Sequence, residues 1–362
     1  LVGSEMCIRD RNKVRRRLLY LWFPHFSIER HKRIEIDKRA KQDDFSGIII
    51  IQDRAGRRVV IASCPLAFQM GVAVGLSLED ALAACPSLLV FEADLIADQL
   101  AIETLARWCG RYTPLVSIDK ANKGLGNAGI WLDITGCAHL FGGEADLLND
   151  IIARLTAINW TAFGAISDTP GSAWAVARFS GGVTQLIAPG EQQAALSELP
   201  LSALRLPKNT VDDLSKVGLR KISQLMLVPR APLRARFGKN IRLRLDQALG
   251  IEKETVSPQT LHSPYLARLV LLEPISNSET IKQILGHLLP QVIEMLVTRS
   301  LGIRQLRFSL YKIDGKVQEL KIRTSEVSQN SDVILRLFSE KIDNYLLDAG
   351  VDVVTLEATE TD

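Results

Sequence analysis

Between 129 and 135 apolar and polar positions alternate: Ile130, Leu132 and Ile134 are interleaved with Trp131, Asp133 and Thr135. A period of two, carried by β-branched and aromatic residues, predicts a pleated central strand. The run GIWLDITGCAHLFGG (129–143) then ends it in a turn punctuated by glycine. A shorter apolar run, LLYLWF at 18–23, predicts a first strand stopped by Pro24. Strands are further predicted over 47–52 and 57–62, joined across a DRAG turn, and over 88–91, 115–118 and 161–166. Helical periodicity covers 27–41, 77–84, 94–112, 144–158 and 169–179. The SLED opening at 77–80 is a capping box, and Pro170 suits a first helical turn. Helices alternating with strands predict a layer of helices against a sheet.

Beyond Gly190 the pattern shortens. Residues 211–228, VDDLSKVGLRKISQLMLV, predict helix, glycine turn and helix, with the turn at Val217-Gly218-Leu219. Residues 251–263 are polar, carry Pro258 and predict a linker. The last hundred residues are regular: a strand at 266–275, a helix at 278–299, strands at 303–312 and 316–324 about an Asp314-Gly315 turn, a helix at 331–347 and a strand at 351–358. That order, β-α-β-β-α-β, is a split βαβ domain, so the fold class is α+β.

The chain's 362 residues, 47% of them hydrophobic, suffice for more than one core. No apolar run approaches the roughly 20 residues of a membrane helix, and a cytoplasmic location is expected. Residues 1–14, which begin LVGSEMCIRDR without Met, are expected to be non-native or disordered. The five cysteines never form a CxxC pair and the five histidines form no HExxH, so buried free thiols are expected rather than a zinc site.

Net charge is only +3, but it is unevenly spread. Eleven Lys or Arg stand between 205 and 244 against Asp212 and Asp213 alone. That surplus surrounds the glycine turn, which is built like a helix-hairpin-helix, a motif whose turn amides bind phosphate without reading bases. Lys216, Gly218, Arg220 and Lys221 are therefore candidate DNA contacts. On the C-terminal strands Arg304, Arg307, Lys321 and Arg323 are further candidates. Lys321 and Arg323 share a face that could lie along a DNA backbone, although an ordinary solvated sheet face carries the same pattern. The triplet Arg15-Arg16-Arg17 could likewise meet phosphate or form a solvated strand entrance.

Four blocks in order resemble the Y-family of DNA polymerases: LYLWFPHFSIER (19–30), LDITGCAHLFGG (132–143), TPGSAWAVAR (169–178) and VPRAPLRARFGKNIRLRLDQALG (228–250). Within that family the chain looks most like the ImuB branch, UmuC-like and catalytically degenerate, from about Arg17 onward. The resemblance implies a palm strand at 15–23, fingers at 24–92, the rest of the palm at 93–190, a helix-hairpin-helix thumb at 191–250, a linker at 251–264 and a little finger at 265–360. An active member places an Asp in the first strand, where this chain has Leu21 or Trp22. It places an acidic pair before the position matching Asp133, where this chain has Ala128 and Gly129. Asp119, in the SIDKA run at 117–121, matches the first acid of that pair if a loop follows it, but Lys120 then replaces the second. Pro65 and Phe68 stand where a Tyr and an Arg would meet the triphosphate.

Two-metal nucleotidyl transfer needs several carboxylates holding cations about 3.5–4 Å apart. Asp133 alone does not supply them; it matches a family residue that is not a metal ligand and is expected to be structural. Asp119, Asp168 and Glu92 remain as substitutes, though loop carboxylates rarely match the geometry of paired strands. The resemblance thus implies a non-catalytic scaffold for damage-induced, error-prone translesion synthesis in a bacterial cytoplasm, with no catalytic residue and no cofactor. Its implied partners are primer-template DNA, the sliding clamp, a DnaE-type error-prone polymerase and a RecA-like ImuA protein. An active low-fidelity polymerase would need Mg2+ and ligands not identified, and a general helix-hairpin-helix DNA-binding module is the third reading. Clamp motifs look like QLxLF. The internal candidates at 224–228 and 305–308 fall in a predicted helix and strand, and in the ImuB branch the motif is expected beyond Asp362.

Overall fold

The computed structural model describes residues 15–36, 47–122, 124–229, 233, 236–256, 265–328, 331–343 and 349–362. They form two compact units, one of Arg15–Glu103 with Ser117–Ser257, the other of Thr104–Val116 with Pro258–Asp362.

The first unit is built on the run LLYLWF. Apolar on both faces, it forms β1 (Leu18–Phe23) in the middle of a five-stranded sheet, antiparallel to β6 (Ala128–Asp133) on one side and β7 (Phe163–Ser167) on the other. β5 (Val116–Ile118) and β8 (Gln185–Leu186) complete the order β5-β6-β1-β7-β8. One face packs on α5 (Glu144–Ala157): Leu148, Leu19 and Leu21 surround Gly164 so closely that a Cβ there would lie 2.8 Å from Leu148 Cδ1. The other face, with Tyr20 and Trp131, meets α6 (Pro170–Phe179), whose Ala173, Trp174 and Val176 are buried in the same cluster. Pro170 opens α6 as expected, and Thr169, just before it, caps the helix with Oγ1 accepting from Ser172 N.

A second, three-stranded sheet in the order β3-β2-β4 holds β2 (Ile48–Arg54), β3 (Arg57–Ser63) and β4 (Leu89–Glu92), packed with α1 (Phe26–Ile36), α2 (Pro65–Gln69) and α3 (Leu78–Ala84). The far part of the helix predicted over 27–41 lies outside the described residues. Half of the predicted capping box forms: Ser77 Oγ accepts from Asp80 N at 3.1 Å, while the Asp80 carboxylate accepts from the Ser77 hydroxyl at 2.7 Å.

Arg15-Arg16-Arg17 is a correction. Neither a phosphate contact nor a solvated entrance, Arg17 is 6% exposed and bridges two acids. Its Nε and Nη2 hold Glu144 at 2.7 and 2.6 Å, Nη1 holds Asp168 at 2.7 Å, and Nη2 also donates to Ile187 O. Burial works against the cation, yet these bonds leave its pKa raised. Arg15 takes the other oxygen of Asp168 at 2.8 Å, and Arg16 takes Asp133 at 3.1 Å. The strand entrance is thereby clamped to the start of α5 and the end of β7.

The C-terminal unit has the predicted order. β9 (Leu266–Ile275), α11 (Ser278–Val297), β10 (Ile303–Lys312), β11 (Val317–Ser328), α12 (Ser331–Asp343) and β12 (Val351–Thr361) make an antiparallel sheet β11-β10-β12-β9 with both helices on its apolar side. The rest of the helix predicted to 347 lies outside the described residues. The segment 104–116, the end of α4 (Leu95–Cys109) and the loop after it, belongs to this unit. Its buried Arg111 pairs with buried Asp352 and stacks 5.1 Å over Trp108.

Burial pushes the Tyr311 phenol up to about 12, despite a bond to Thr355. The folded state thus favours the protonated phenol. Its contribution is complete below about pH 10 and is lost as pH rises toward 12, an alkaline loss of about 2–3 kcal/mol. Thermal melts from pH 9 to 12 should show a weaker alkaline decline in Tyr311→Phe than in the parent chain.

Candidate vestigial active site and nucleic-acid interface

The register of β1 on β6 separates the two first-strand candidates. Trp22 lies opposite Gly129 and Tyr20 opposite Trp131, so these four share one face, while Leu21, opposite Ile130, points to the other. Leu21 is fully buried on the α5 side. Trp22 lies on the α6 side, where the Arg178 guanidinium stacks 5.0 Å from its ring and 4.6 Å from that of Trp174.

Asp119 reaches the same face. Its amide donates to Gly129 O at 2.9 Å, which fixes the SIDKA segment beside β6. Its Oδ2 then accepts from Tyr20 Oη at 2.8 Å, Asn122 Nδ2 at 3.0 Å and Trp174 Nε1 at 3.1 Å, and Oδ1 accepts from Ala121 N at 3.1 Å. Arg178 closes the cluster by donating to Asn122 Oδ1 at 2.7 Å. Burial, and next the Asp119 charge, push the Tyr20 phenol far up, so it stays a donor to the carboxylate. Gly129 has no room for a side chain: a Cβ would lie 2.0 Å from Tyr20 Oη. Ala128, on the opposite side of β6, is buried. Lys120 is exposed.

The geometry gives Asp133, Asp168 and Glu92 structural work. Asp133 Oδ1 accepts from Thr135 N at 3.1 Å as the strand ends, and Oδ2 pairs with Arg16. Asp168 is held by Arg15, Arg17 and the amide of Gly190, and Glu92 pairs with Arg58. Among the described residues no three His, Cys, Asp or Glu side chains converge as a metal site would require.

Residues 42–178 match the impB/mucB/samB family model (IMS). The chain is 37% identical to Protein ImuB of Caulobacter vibrioides (strain NA1000 / CB15N) over 289 residues, 80% of this chain and 62% of that protein. It is 27% identical to DNA polymerase IV of Shewanella frigidimarina (strain NCIMB 400) over 333 residues, 86% of this chain and 89% of that one. Its fold matches DinB from Sulfolobus solfataricus with a TM-score of 0.53 over 94% of this chain and 98% of that one, at 13% identity. The chain has the fold of the Y-family polymerases and carries an impB/mucB/samB-like segment at 42–178. The match thus spans 62% of the length of the ImuB relative.

The pair of cations that this fold implies does not fit the residues present. The face that would carry the ligands offers one carboxylate, Asp119, and one oxygen of it is saturated by three donors. Trp22 and Gly129 supply no oxygen from their side chains, and the Arg178 guanidinium adds a positive charge. Hard divalent cations need several anionic oxygens in place of that charge. Among the described residues this face brings no second carboxylate to Asp119.

The cations predicted to meet DNA are placed as follows. Beyond β8 come α7 (Gln192–Ser197), α8 (Lys208–Lys216), α9 (Ile222–Met226) and α10 (Lys239–Leu249); α8 and α9 flank the turn, where Gly218 takes φ +85°, a conformation that favours glycine. Lys216 pairs with Asp213 at 2.8 Å and Lys221 with Glu198 at 2.6 Å; Arg220 is exposed. The amides of Arg220 and Lys221 converge on one oxygen, Gln224 Oε1, at 2.7 and 3.0 Å. Elsewhere in the basic run Arg205 and Arg244 both hold Glu254, and Arg242 holds Asp246. Arg230 and Arg234 lie outside the described residues. On the C-terminal sheet Arg304 meets Asp362, Arg307 meets Glu357 and Glu319, Lys321 meets Glu319, and Arg323 meets Glu360. That face carries an acid for each predicted cation. Of the clamp-like runs, 305–308 lies in β10 with Leu306 and Phe308 fully buried, whereas Leu227 of 224–228 is 85% exposed.

Sequence reasoning missed Tyr20, Asn122, Trp174 and Arg178. The signal was present: even spacing puts Tyr20 with Trp22, and spacing by four puts Trp174 with Arg178 on one side of a helix.

Proposed function

We propose that the chain is a non-catalytic Y-family homologue that holds primer-template DNA and scaffolds damage-induced, error-prone translesion synthesis carried out by a partner. One observation carries the reading: the face where the family's acids belong holds Trp22, Gly129 under the Tyr20 hydroxyl, and an Asp119 committed to Tyr20, Asn122 and Trp174. The fold and the basic 205–244 run are kept while the chemistry is lost, as a scaffold requires. On the resemblance to the ImuB branch its partners are a DnaE-type polymerase that supplies the catalysis, a RecA-like ImuA protein and the sliding clamp.

DNA is held by the thumb, the helix-hairpin-helix segment, with the little finger, the C-terminal unit, lying along the backbone. In the thumb, two amides already aimed at one oxygen make a geometry that a phosphate oxygen can enter in place of Gln224 Oε1. Binding of a fluorescein-labelled primer-template, followed by anisotropy across a salt titration, tests this. The combined reversal Lys216→Glu, Arg220→Glu and Lys221→Glu should weaken binding by about 10-fold or more and flatten the salt slope. Gln224→Glu keeps an acceptor for both amides but adds a charge, and should weaken binding by roughly 5-fold with the fold intact. Salt-independent binding, or binding indifferent to both changes, would remove the DNA-holding role.

A further inference from the structure

A cleft of about 960 Å³ opens in the unit of Arg15–Glu103 and Ser117–Ser257, its walls formed by residues 59–63 of β3, by Pro65 and Phe68 of α2, and by Val74 and Leu125. Its apolar groups are on show: Phe68 is 63% and Val74 62% exposed, with Leu125 exposed in the same lining. Contiguous exposed apolar surface of this kind marks a place where something docks. α2 presents Phe68 rigidly, because Ala67 is fully buried and Cys64 Sγ accepts from the Ala67 amide at 3.4 Å. His25, also in the lining, has its pKa lowered, first by burial and then by Lys32, so it is neutral at pH 7 and leaves the floor uncharged.

The rim is different. Arg54 lines the cleft and donates to Gly124 O, and Arg57 is its direct cross-strand partner on the β2–β3 hairpin. Among the described residues neither arginine meets a carboxylate. Like charges directly opposed across a hairpin repel, and an acidic group placed between them would relieve it. An apolar floor with a basic rim is complementary to a chain that is bulky and apolar in the middle and acidic at its flank.

We propose that this cleft is a docking site for a short peptide segment of a partner protein, carrying large apolar side chains for the floor at Phe68 and Val74 and an adjacent Asp or Glu for Arg54 and Arg57. The site is separate from the helix-hairpin-helix segment and rests on the non-catalytic reading, since Pro65 and Phe68 stand where an active member would meet the triphosphate. The core positions are the anchors, and the rim arginines set specificity and on-rate.

A random 12-residue peptide library displayed on phage and panned against the full chain supplies the probe, and the enriched consensus is then synthesised with a fluorescent label. The expected consensus holds two or three Leu, Phe, Trp or Met residues with neighbouring Asp or Glu. Its affinity should fall about 10-fold or more in Phe68→Ser and in Val74→Asp, each with an unchanged melting temperature. Arg54→Glu with Arg57→Glu should make the same panning return Lys or Arg flanks. No enriched consensus, or one that binds these variants as well as the parent, overturns the proposal. So does displacement of the consensus by a deoxynucleoside triphosphate or primer-template, which would make the cleft a nucleotide site. A dimer in sedimentation that dissociates in Phe68→Ser would also overturn it, making the occupant a second copy.

Discussion

Gly129→Asp, the change that would seem to restore an acid to the central strand, is expected to destabilise the protein by about 3–5 kcal/mol and to restore no activity. A Cβ at 129 would sit 2.0 Å from Tyr20 Oη and 2.6 Å from Tyr20 Cζ, inside contact distance of a fully buried ring. Moving that ring breaks the bond from Tyr20 to Asp119 and disturbs its 4.4 Å packing on Trp131. Overpacking and a stranded carboxylate therefore act together. Gly129→Ala tests the steric half without the charge, and a cycle with Tyr20→Ala separates the causes. On the Tyr20→Ala background the added methyl should cost far less than on the parent, giving a coupling of about 1–3 kcal/mol. Additive costs in urea titrations would show that Tyr20 does not fill the space of the lost side chain.

The second large effect is at Arg17. Its guanidinium joins Glu144 and Asp168 while itself 6% exposed, and Asp168 is scarcely more accessible. Arg17→Met removes the cation that joins them, leaving Glu144 without this partner and the nearly buried Asp168 with only Arg15 and the Gly190 amide. Breaking a buried pair from one side costs about 3–5 kcal/mol, or roughly 10 °C in melting temperature for a unit of this size. Asp168→Asn should cost less, because the amide still accepts from Arg17. Differential scanning calorimetry decides it; a shift below about 2 °C for Arg17→Met would mean that the network is no clamp.

The fold was legible in the sequence wherever one periodicity ruled a segment. The β-α-β-β-α-β order followed from clean alternation, a DG turn and amphipathic helices, and the central strand from the spacing of Ile130, Leu132 and Ile134. The DRAG hairpin, the Ser77 cap and the Pro170 helix start were equally local, since each needs only residues a few positions apart. What escaped were contacts made across the chain. Arg15, Arg16 and Arg17 look like a solvated basic triplet until β1 is threaded between β6 and β7, which brings Asp133, Glu144 and Asp168 to them. The loss of acids at Trp22 and Gly129 could be seen in the sequence, but not that Tyr20, Asn122 and Trp174 consume Asp119, because those residues lie 99, 3 and 55 positions away from it. Surface charge was the least legible layer. A count of Lys and Arg does not reveal that Arg307 has an acid one strand away and Arg323 an acid two strands away.

The measurement that bears most directly on the scaffold reading is single-nucleotide primer extension by the purified chain with Mg2+ or Mn2+, on undamaged and lesion-bearing templates. No incorporation above a no-protein control is expected under conditions where the same primer-template is bound. Incorporation that copurifies with the chain and disappears in Asp119→Ala would contradict it, and would mean that Asp119 leaves its three donors to hold a cation.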